Sequence, residues 1–330
     1  MSNCILTVSI AAYNVEKFLP FTLESLCINS NNTWLEVLII DDGSSDKTSE
    51  IAKRYEEKYP NIFKLVKKQN GGWGSTINRS VAIANGKYFK QLDGDDEFET
   101  NNIIDFLNFL NLSDSDLVVS PYLCFRSKDR KVISEKTFYG GMKESRSLSI
   151  DDSINNFSLL EMHAACFKTS VLKLNSLDIT ENCFYTDVEY MVKAVSFCKS
   201  ICYYDRVIYK YRVGLSGQSV SPIGMRKHYK EHEKVLKNLI QHVALIKLSA
   251  PVKKILMNRI SLMCYDHYTY LLSLKCCNKS KVELVKYDNF IKEIPSIYNN
   301  CKSLTVRLMR KMNFYGIFIF RIWFIIRYKL

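Results

Sequence analysis

The sequence predicts an α/β fold, a mostly parallel sheet flanked by helices, with a C-terminal helical region behind it. Three observations lead there. Over the first 120 residues, short continuous apolar runs alternate with segments whose apolar residues recur at helical spacing. Acidic clusters directly follow several of those runs, where parallel sheets place their functional groups. Charge is also divided: residues 1–221 hold 25 Lys/Arg and 28 Asp/Glu, whereas residues 222–330 hold 21 and 6. A near-neutral front joined to a basic back suggests two parts, 1–221 and 222–330, with different partners.

Taken in order, Ile5–Ile10 is β-rich and uninterrupted, as a strand buried on both faces must be. Val15–Cys27 has helical spacing, with Phe18, Leu19, Leu23 and Leu26 on one face. Leu35–Ile40 is a second buried strand. Asp46–Tyr59 is a polar-faced helix with Ile51, Ala52 and Tyr55 inward. Ile62–Val66, Thr76–Ala84 and Lys87–Leu92 continue as strand, helix and strand, and Asn102–Leu110 with Asp116–Ser120 adds another helix and strand. This alternation implies βαβ units with right-handed crossovers. Pro121–Val220 is mixed: strands at Lys131–Phe138 and within Glu161–Leu172, the second followed by a turn, then a helix at Tyr185–Phe197 and one strand over Ser200–Tyr211. Beyond Ser221, His228–Leu245, Val252–Leu274 and Val282–Ile291 read as helices with Lys-rich faces.

With 12 Gly and 6 Pro in 330 residues, the chain is neither collagenous nor linker-dominated. Met1–Ile10 is too polar and too short for a secretory leader. The 11 Cys contain no CxxC pair, so they read as reduced thiols in a cytoplasmic protein. Met312–Leu330 is nearly all aromatic and aliphatic, but its uninterrupted part, Phe314–Phe320, falls far short of the roughly 20 residues that span a bilayer. The expectation is a helix lying in the membrane interface, with Arg321, Arg327 and Lys329 at the headgroups; the alternative is a helix packed on the domain or on a dimer partner. An anionic membrane surface accounts for both the basic helices and this tail, and no nucleic-acid motif accompanies them, so no nucleic acid is expected as partner. The place expected is the inner face of the cell membrane.

Three acidic groups are candidates for chemistry. Asp93-Gly94-Asp95-Asp96 follows a buried strand, and three carboxylates in four residues repel one another unless something positive holds them, for which a hard divalent cation such as Mn²⁺ or Mg²⁺ is the usual solution; the alternative is a solvated turn or a helix N-cap. Asp41-Asp42-Gly43-Ser44 follows another strand, where one carboxylate can accept from a base N–H and shape a nucleotide pocket. Asp187, with Glu189, opens the helix after Tyr185. Asn70-Gly71-Gly72-Trp73-Gly74-Ser75 lets a ligand approach the backbone closely, yet it is neither GxGxxG nor GxxxxGK[ST], so Rossmann dinucleotide binding and P-loop phosphoryl transfer lose support. His228 and His232 are four apart on a predicted helix, but the charged residues around them suggest a solvated face rather than zinc. His163 is expected in a strand beside the cleft, either contacting an acceptor or simply packed.

Together these segments resemble family 2 glycosyltransferases of the GT-A fold, of the bacterial cell-surface polysaccharide type. The resemblance runs from Val8-Ser9-Ile10-Ala11-Ala12-Tyr13-Asn14 through Glu36–Thr48 to Asn70-Gly71-Gly72, Gly86-Lys87-Tyr88 and Leu92–Asp96. Tyr185–Tyr190 looks like a later E-D-x-E motif, with Thr186 where many members have Glu, and Ser216–Ser221 resembles a loop that closes over the donor. The resemblance implies nucleotide-sugar binding by 1–98 and an acceptor side at 99–221. It implies that Ala11, Tyr13, Asn14, Asp41 and Asp42 line the nucleotide pocket, with Asn70, Gly71 and Gly94 at the donor. It implies that Asp93 and Asp95 hold ribose and metal, that Asp187 is the general base, and that Arg212 and Gln218 steady the phosphates. The implied reaction is inverting, metal-dependent transfer from a UDP-sugar to a saccharide or lipid-linked glycan. A sugar-phosphate nucleotidyltransferase and a non-catalytic glycan- or lipid-binding scaffold are the alternatives. The first expects a Gly-rich, basic first loop, which Ala11-Ala12-Tyr13-Asn14 lacks.

Overall fold

A computed structural model describes residues 4–28, 33–137, 147–153, 161–214, 222–301 and 303–328. The chain divides into two compact units, Met1–Leu215 and Ser216–Leu330. The first unit contains β1 (Leu6–Ala12), α1 (Leu19–Glu24), β2 (Leu35–Asp41), α2 (Thr48–Lys58), β3 (Phe63–Lys67), α3 (Trp73–Ile83), β4 (Tyr88–Asp93) and β5 (Glu97–Phe98). It continues with α4 (Ile103–Leu112), β6 (Leu117–Val119), β7 (Tyr122–Arg126), β8 (Val132–Lys136), β9 (Leu148–Ser149), α5 (Ile150–Ser153) and β10 (Ala165–Lys168). It ends with α6 (Thr169–Leu174), α7 (Thr186–Phe197), β11 (Ser200–Tyr203) and β12 (Tyr209–Val213).

Among the described residues the main sheet has the order β3-β2-β1-β4-β10-β6-β11-β9. β3, β2, β1 and β4 are mutually parallel, as are β6 and β11; β10 runs antiparallel between β4 and β6, and β9 is antiparallel at the edge. The first strands read as continuous apolar runs because helices cover both faces: Leu6, Val8 and Ile10 are fully buried, and so are Thr7 and Ser9 between them. The buried hydroxyls are paired, Ser9 with Ser80 at 2.7 Å and Thr7 with Glu36 at 2.6 Å.

Several elements depart from the sequence reading. The helix expected over Val15–Cys27 is regular only from Leu19, with Pro20 in its first turn. The chain before it is a turn, and its free Val15 and Glu16 N–H groups donate to Thr48 Oγ1 and Asp46 Oδ2. β10 is followed by a helix, α6, rather than a turn. Ser200–Tyr211 is two strands, not one. Tyr204 is buried against Phe106 and Phe109, the chain turns at exposed Asp205 and Arg206, and β12 then joins a different sheet. That second sheet has the order β5-β12-β7-β8.

Glu97, at the start of β5, ties the second sheet together. Its carboxylate is nearly buried and accepts from Arg212 Nη2 at 2.6 Å and, bidentately, from Arg130 at 2.9 and 2.7 Å. The Arg212 guanidinium lies over Phe125 at 4.7 Å and Phe18 at 5.1 Å. The cation is thus desolvated by rings and compensated by one carboxylate.

The second unit is helical: α8 (Pro222–Leu245), α9 (Ala250–Leu272), α10 (Cys277–Lys292), α11 (Pro295–Tyr298), α12 (Leu304–Lys311) and α13 (Ile317–Tyr328). α8, α10, α11 and α13 all pack on α9. The face of α8 bearing His228 and His232 is buried, contrary to the expectation of a solvated face. His232 stacks on His267 of α9 at 5.1 Å with the two Nδ1 atoms 3.1 Å apart, and the Tyr270 ring lies 4.3 Å from His232. Two histidines facing across a helix pair outweigh the polar residues that flank them in sequence.

Removing Glu97 leaves the Arg212 cation buried without a carboxylate. Glu97→Ala is expected to destabilise by about 3–5 kcal/mol, whereas Arg130→Ala, at the half-exposed end of the same pair, costs about 1 kcal/mol or less. Urea unfolding midpoints measure both, and equal effects would contradict the assignment. Burial lowers His232 to about 3 and His267 well below its ordinary value. The unfolded imidazole titrates near 6.5, so this stability is complete above pH 6.5 and is lost as pH falls from there toward 3, by up to about 1.4 kcal/mol per pH unit for each ring. Melting at pH 5.5 should therefore lie below that at pH 7.5, and the His232→Phe/His267→Phe variant should narrow the gap.

Candidate active site

The carboxyl ends of β1, β2 and β4 lie level, with Ala12 paired to Asp41 and Ala11 paired to Asp93. From β1 the strand order runs to β2 and β3 on one side and to β4 on the other. That is the switch point at which an open α/β sheet forms a crevice beyond its strand ends.

The loop Asp93–Asp96 is pressed against β1. Gly94 donates its N–H to the Ala11 carbonyl at 3.0 Å, and a Cβ at position 94 would fall 2.9 Å from the same oxygen. The three carboxylates then part company. Asp96 is buried, and its oxygens accept from the Tyr209 hydroxyl and the Arg212 N–H, each at 2.6 Å. Asp93 and Asp95 remain half-buried. Asp93 Oδ1 accepts the Trp73 indole N–H at 2.8 Å. Burial pushes the Asp93 carboxyl up to about 7; the charges of Asp95 and Asp187 add to the rise, and the Trp73 bond opposes it. Burial also raises Asp95 and Asp96.

Asp93, Asp96 and His163 bring one ligand atom each within 4.8 Å of one another. His163 lies in the turn before β10, among Tyr122, Tyr209 and Tyr211 with ring centroids 5.0, 4.9 and 4.4 Å away. Its Nδ1 is buried and makes no hydrogen bond. Burial, with the Lys90 charge nearby, lowers His163 to about 3 and keeps the ring neutral, the form that ligates metals. Lys90, wholly buried in β4, holds this turn by donating to the carbonyls of His163 at 2.8 Å and Ala165 at 3.1 Å, and burial lowers it to about 8. Half-buried Asp93 and the His163 imidazole are donors that fit a divalent cation, while the oxygens of Asp96, third in the group, already serve Tyr209 and Arg212.

On the other flank, Asp42 is buried and its carboxylate is fully committed. It accepts from Lys68 Nζ at 2.6 Å, Gly71 N–H at 2.9 Å and Gly72 N–H at 2.8 Å, with Ser75 Oγ at 3.4 Å. Asp42 thus shapes the crevice by holding the Gly-rich loop. A base N–H would find it already occupied, contrary to one part of the sequence expectation. Asp41 Oδ1 accepts from Ser44 N–H at 2.9 Å. Asn14 sits at φ 53°, and its Oδ1 accepts from Ser45 N–H at 2.8 Å. Tyr13 beside it is 53% exposed, and Asn70 is exposed. Gly72, at φ +79°, turns the loop into α3.

The segment before α7 closes on that loop: Asn182 N–H donates to the Gly71 carbonyl at 2.5 Å. Glu189 is wholly buried and clamps the segment, accepting from Thr180 N–H and Oγ1 and pairing with Lys193 at 2.8 Å. Tyr185 adopts the left-handed conformation at φ 66°, and two residues on, Asp187 lies exposed in the first turn of α7. Of the two acidic residues in this motif, one builds the loop and one faces solvent.

Arg212 departs from its expected role. It is 3% exposed, and its donors serve Glu97 and the Asp95 carbonyl (Nε at 2.6 Å), so it holds the acidic loop from behind and offers nothing to a phosphate. Gln218 and the loop Ser216–Ser221 lie outside the described residues. Trp73 and Lys90 were not singled out in the sequence. A lysine inside an apolar strand and a Trp set between glycines are the signals that mark them.

Comparison with known proteins adds the following. Residues 7–176 match the family described as Glycosyl transferase family 2. An uncharacterized glycosyltransferase of Mycoplasma pneumoniae, the MG060 homolog, is 28% identical over 251 residues, which is 74% of this chain and 81% of the relative. The minor teichoic acid biosynthesis protein GgaB of Bacillus subtilis is 28% identical over 222 residues, 66% of this chain and 24% of that protein. The crystal structure of S. aureus TarS 1-349 in complex with UDP-GlcNAc has a TM-score of 0.63 at 19% identity, covering 94% of this chain and 93% of that one. At that identity the likeness concerns the fold, and it agrees with the parallel sheet and its switch point. With more than half its length matched, the chain belongs to glycosyl transferase family 2 and is a glycosyltransferase of the GT-A type.

Proposed function

We propose that the protein transfers a sugar, with inversion, from a UDP-sugar to a saccharide or lipid-linked glycan in cell-surface polysaccharide synthesis, using Mn²⁺ or Mg²⁺ at the inner face of the membrane. One observation carries the reading: Asp41 and Asp93 end parallel strands on either side of β1 at the sheet's switch point, with Asp95 two residues on. The relatives support it as well, since TarS was solved with UDP-GlcNAc and GgaB is named for minor teichoic acid biosynthesis.

In this reading Ala11, Tyr13, Asn14 and Asp41 line the nucleotide pocket. Asn70 and Gly71 border it, with Asp42 holding their loop. Asp93 and Asp95 hold the divalent cation, and His163 offers a further ligand. The cation, when bound, neutralises charge developing on the leaving diphosphate. Gly94 keeps the loop tight on β1, and Arg212 secures it from behind; Gln218 is assigned to the diphosphate by the resemblance alone. Asp187 takes the proton of the attacking acceptor hydroxyl. Attack opposite the leaving group inverts the anomeric carbon in a single displacement, with no covalent enzyme intermediate.

A panel of nucleotide-sugars with Mn²⁺ or Mg²⁺, followed for nucleotide release, tests the donor: UDP is expected, and pyrophosphate would instead indicate nucleotidyl transfer. Asp187→Asn is expected to reduce transfer by about 10²–10⁴-fold while calorimetry shows unchanged donor affinity. Normal turnover in that variant would end the base assignment.

A further inference from the structure

We propose that α12 and α13 dock the protein onto an anionic bilayer through the exposed apolar side chains that each helix presents. This deepens the membrane contact of the preceding reading and rests on it in naming a bilayer as the partner. One face of each helix is spent on the fold. α12 buries Val306 and Met309, and α13 buries Ile317, Phe320 and Phe324. Arg310 fastens the same side, with Nε on Asp288 at 2.7 Å and its guanidinium stacked over Tyr298 at 3.6 Å.

The exposed faces also carry large apolar side chains. Leu304, Leu308 and Met312, then Ile319, Ile322 and Ile326, recur at helical intervals, and all are exposed, from 40% at Leu308 to 71% at Ile326. Large apolar side chains repeated along exposed helix faces belong against an apolar phase.

Charge selects the occupant. From Ile294 to Leu330 the chain carries seven Lys/Arg and no Asp/Glu. A second copy would bring like charge against like, whereas anionic headgroups neutralise it. Arg307 and Lys311 are exposed on the turn of α12 that presents Leu304 and Leu308, so their aliphatic stems can lie along the apolar stripe with the cations at headgroup depth. Length selects the pose. α13 has 12 residues, about 18 Å against a hydrocarbon core of about 30 Å. Among the described residues no helix is long and apolar enough to cross a membrane. The helices therefore lie in the interface plane.

Co-sedimentation of the full chain with phosphatidylcholine vesicles, with and without phosphatidylglycerol, tests this. Binding to the anionic vesicles is expected to be tenfold or more tighter and to fall with salt. Ile322→Ser/Ile326→Ser and Arg307→Glu/Lys311→Glu are each expected to weaken it by about tenfold or more, with nucleotide-sugar hydrolysis in solution unchanged. Equal binding to both vesicles, or full binding by both variants, overturns the proposal. So does a dimer in sedimentation velocity that Ile322→Ser/Ile326→Ser converts to a monomer without vesicle binding by the parent. Vesicle binding without donor hydrolysis leaves the docking surface standing and removes the transferase reading, and the opposite result does the reverse.

Discussion

Three carboxylates in four consecutive residues, placed at the buried end of a central strand, are the constraint around which the N-terminal unit is organised. Like charges in a poorly solvated place repel, so the fold must neutralise or fix each one. Asp96 is fixed by Tyr209 and the Arg212 backbone, Asp93 is tethered by the Trp73 indole, and Arg212 grips the Asp95 carbonyl from behind. Arg212 can stay buried because Glu97 answers its charge and aromatic rings cover it. The second sheet thus acts as a brace for the acidic loop, and its strands β5 and β12 are joined through the residues that brace it.

The loops around the crevice are held in the same manner, by polar side chains consumed in building it. Asp42 gathers the backbone of Gly71 and Gly72, and Glu189 gathers Thr180. Of the acidic residues around the crevice, Asp93 and Asp95 are half-buried and Asp187, at the head of α7, is exposed. Rigid supports behind these carboxylates keep the cleft from collapsing onto its own charges.

The C-terminal unit follows a different logic. Its interior is a helix pair sealed by stacked histidines, with an ion-paired Arg310 holding the last helices in place. Its outer face concentrates apolar and cationic side chains without a single carboxylate after Glu293. Such a surface is poorly matched to water, and its chemistry is that of an anionic interface.

Much of this was legible in the chain itself. Runs such as Leu35–Ile40 can only be strands covered on both faces, and Asp-Gly turns after them mark where the chain leaves the sheet; the order of motifs then identified the family. These are local properties, set by spacing and side-chain chemistry within a few residues. The roles of individual polar groups were not local. Whether Arg212 faces a phosphate or Glu97, whether Asp42 is free or spent, and whether His232 meets water or His267 each depend on a partner more than 20 residues away, brought close only by packing. Burial decides such cases because a charged or polar group removed from water must find a specific partner, and which partner that is emerges from the tertiary arrangement alone.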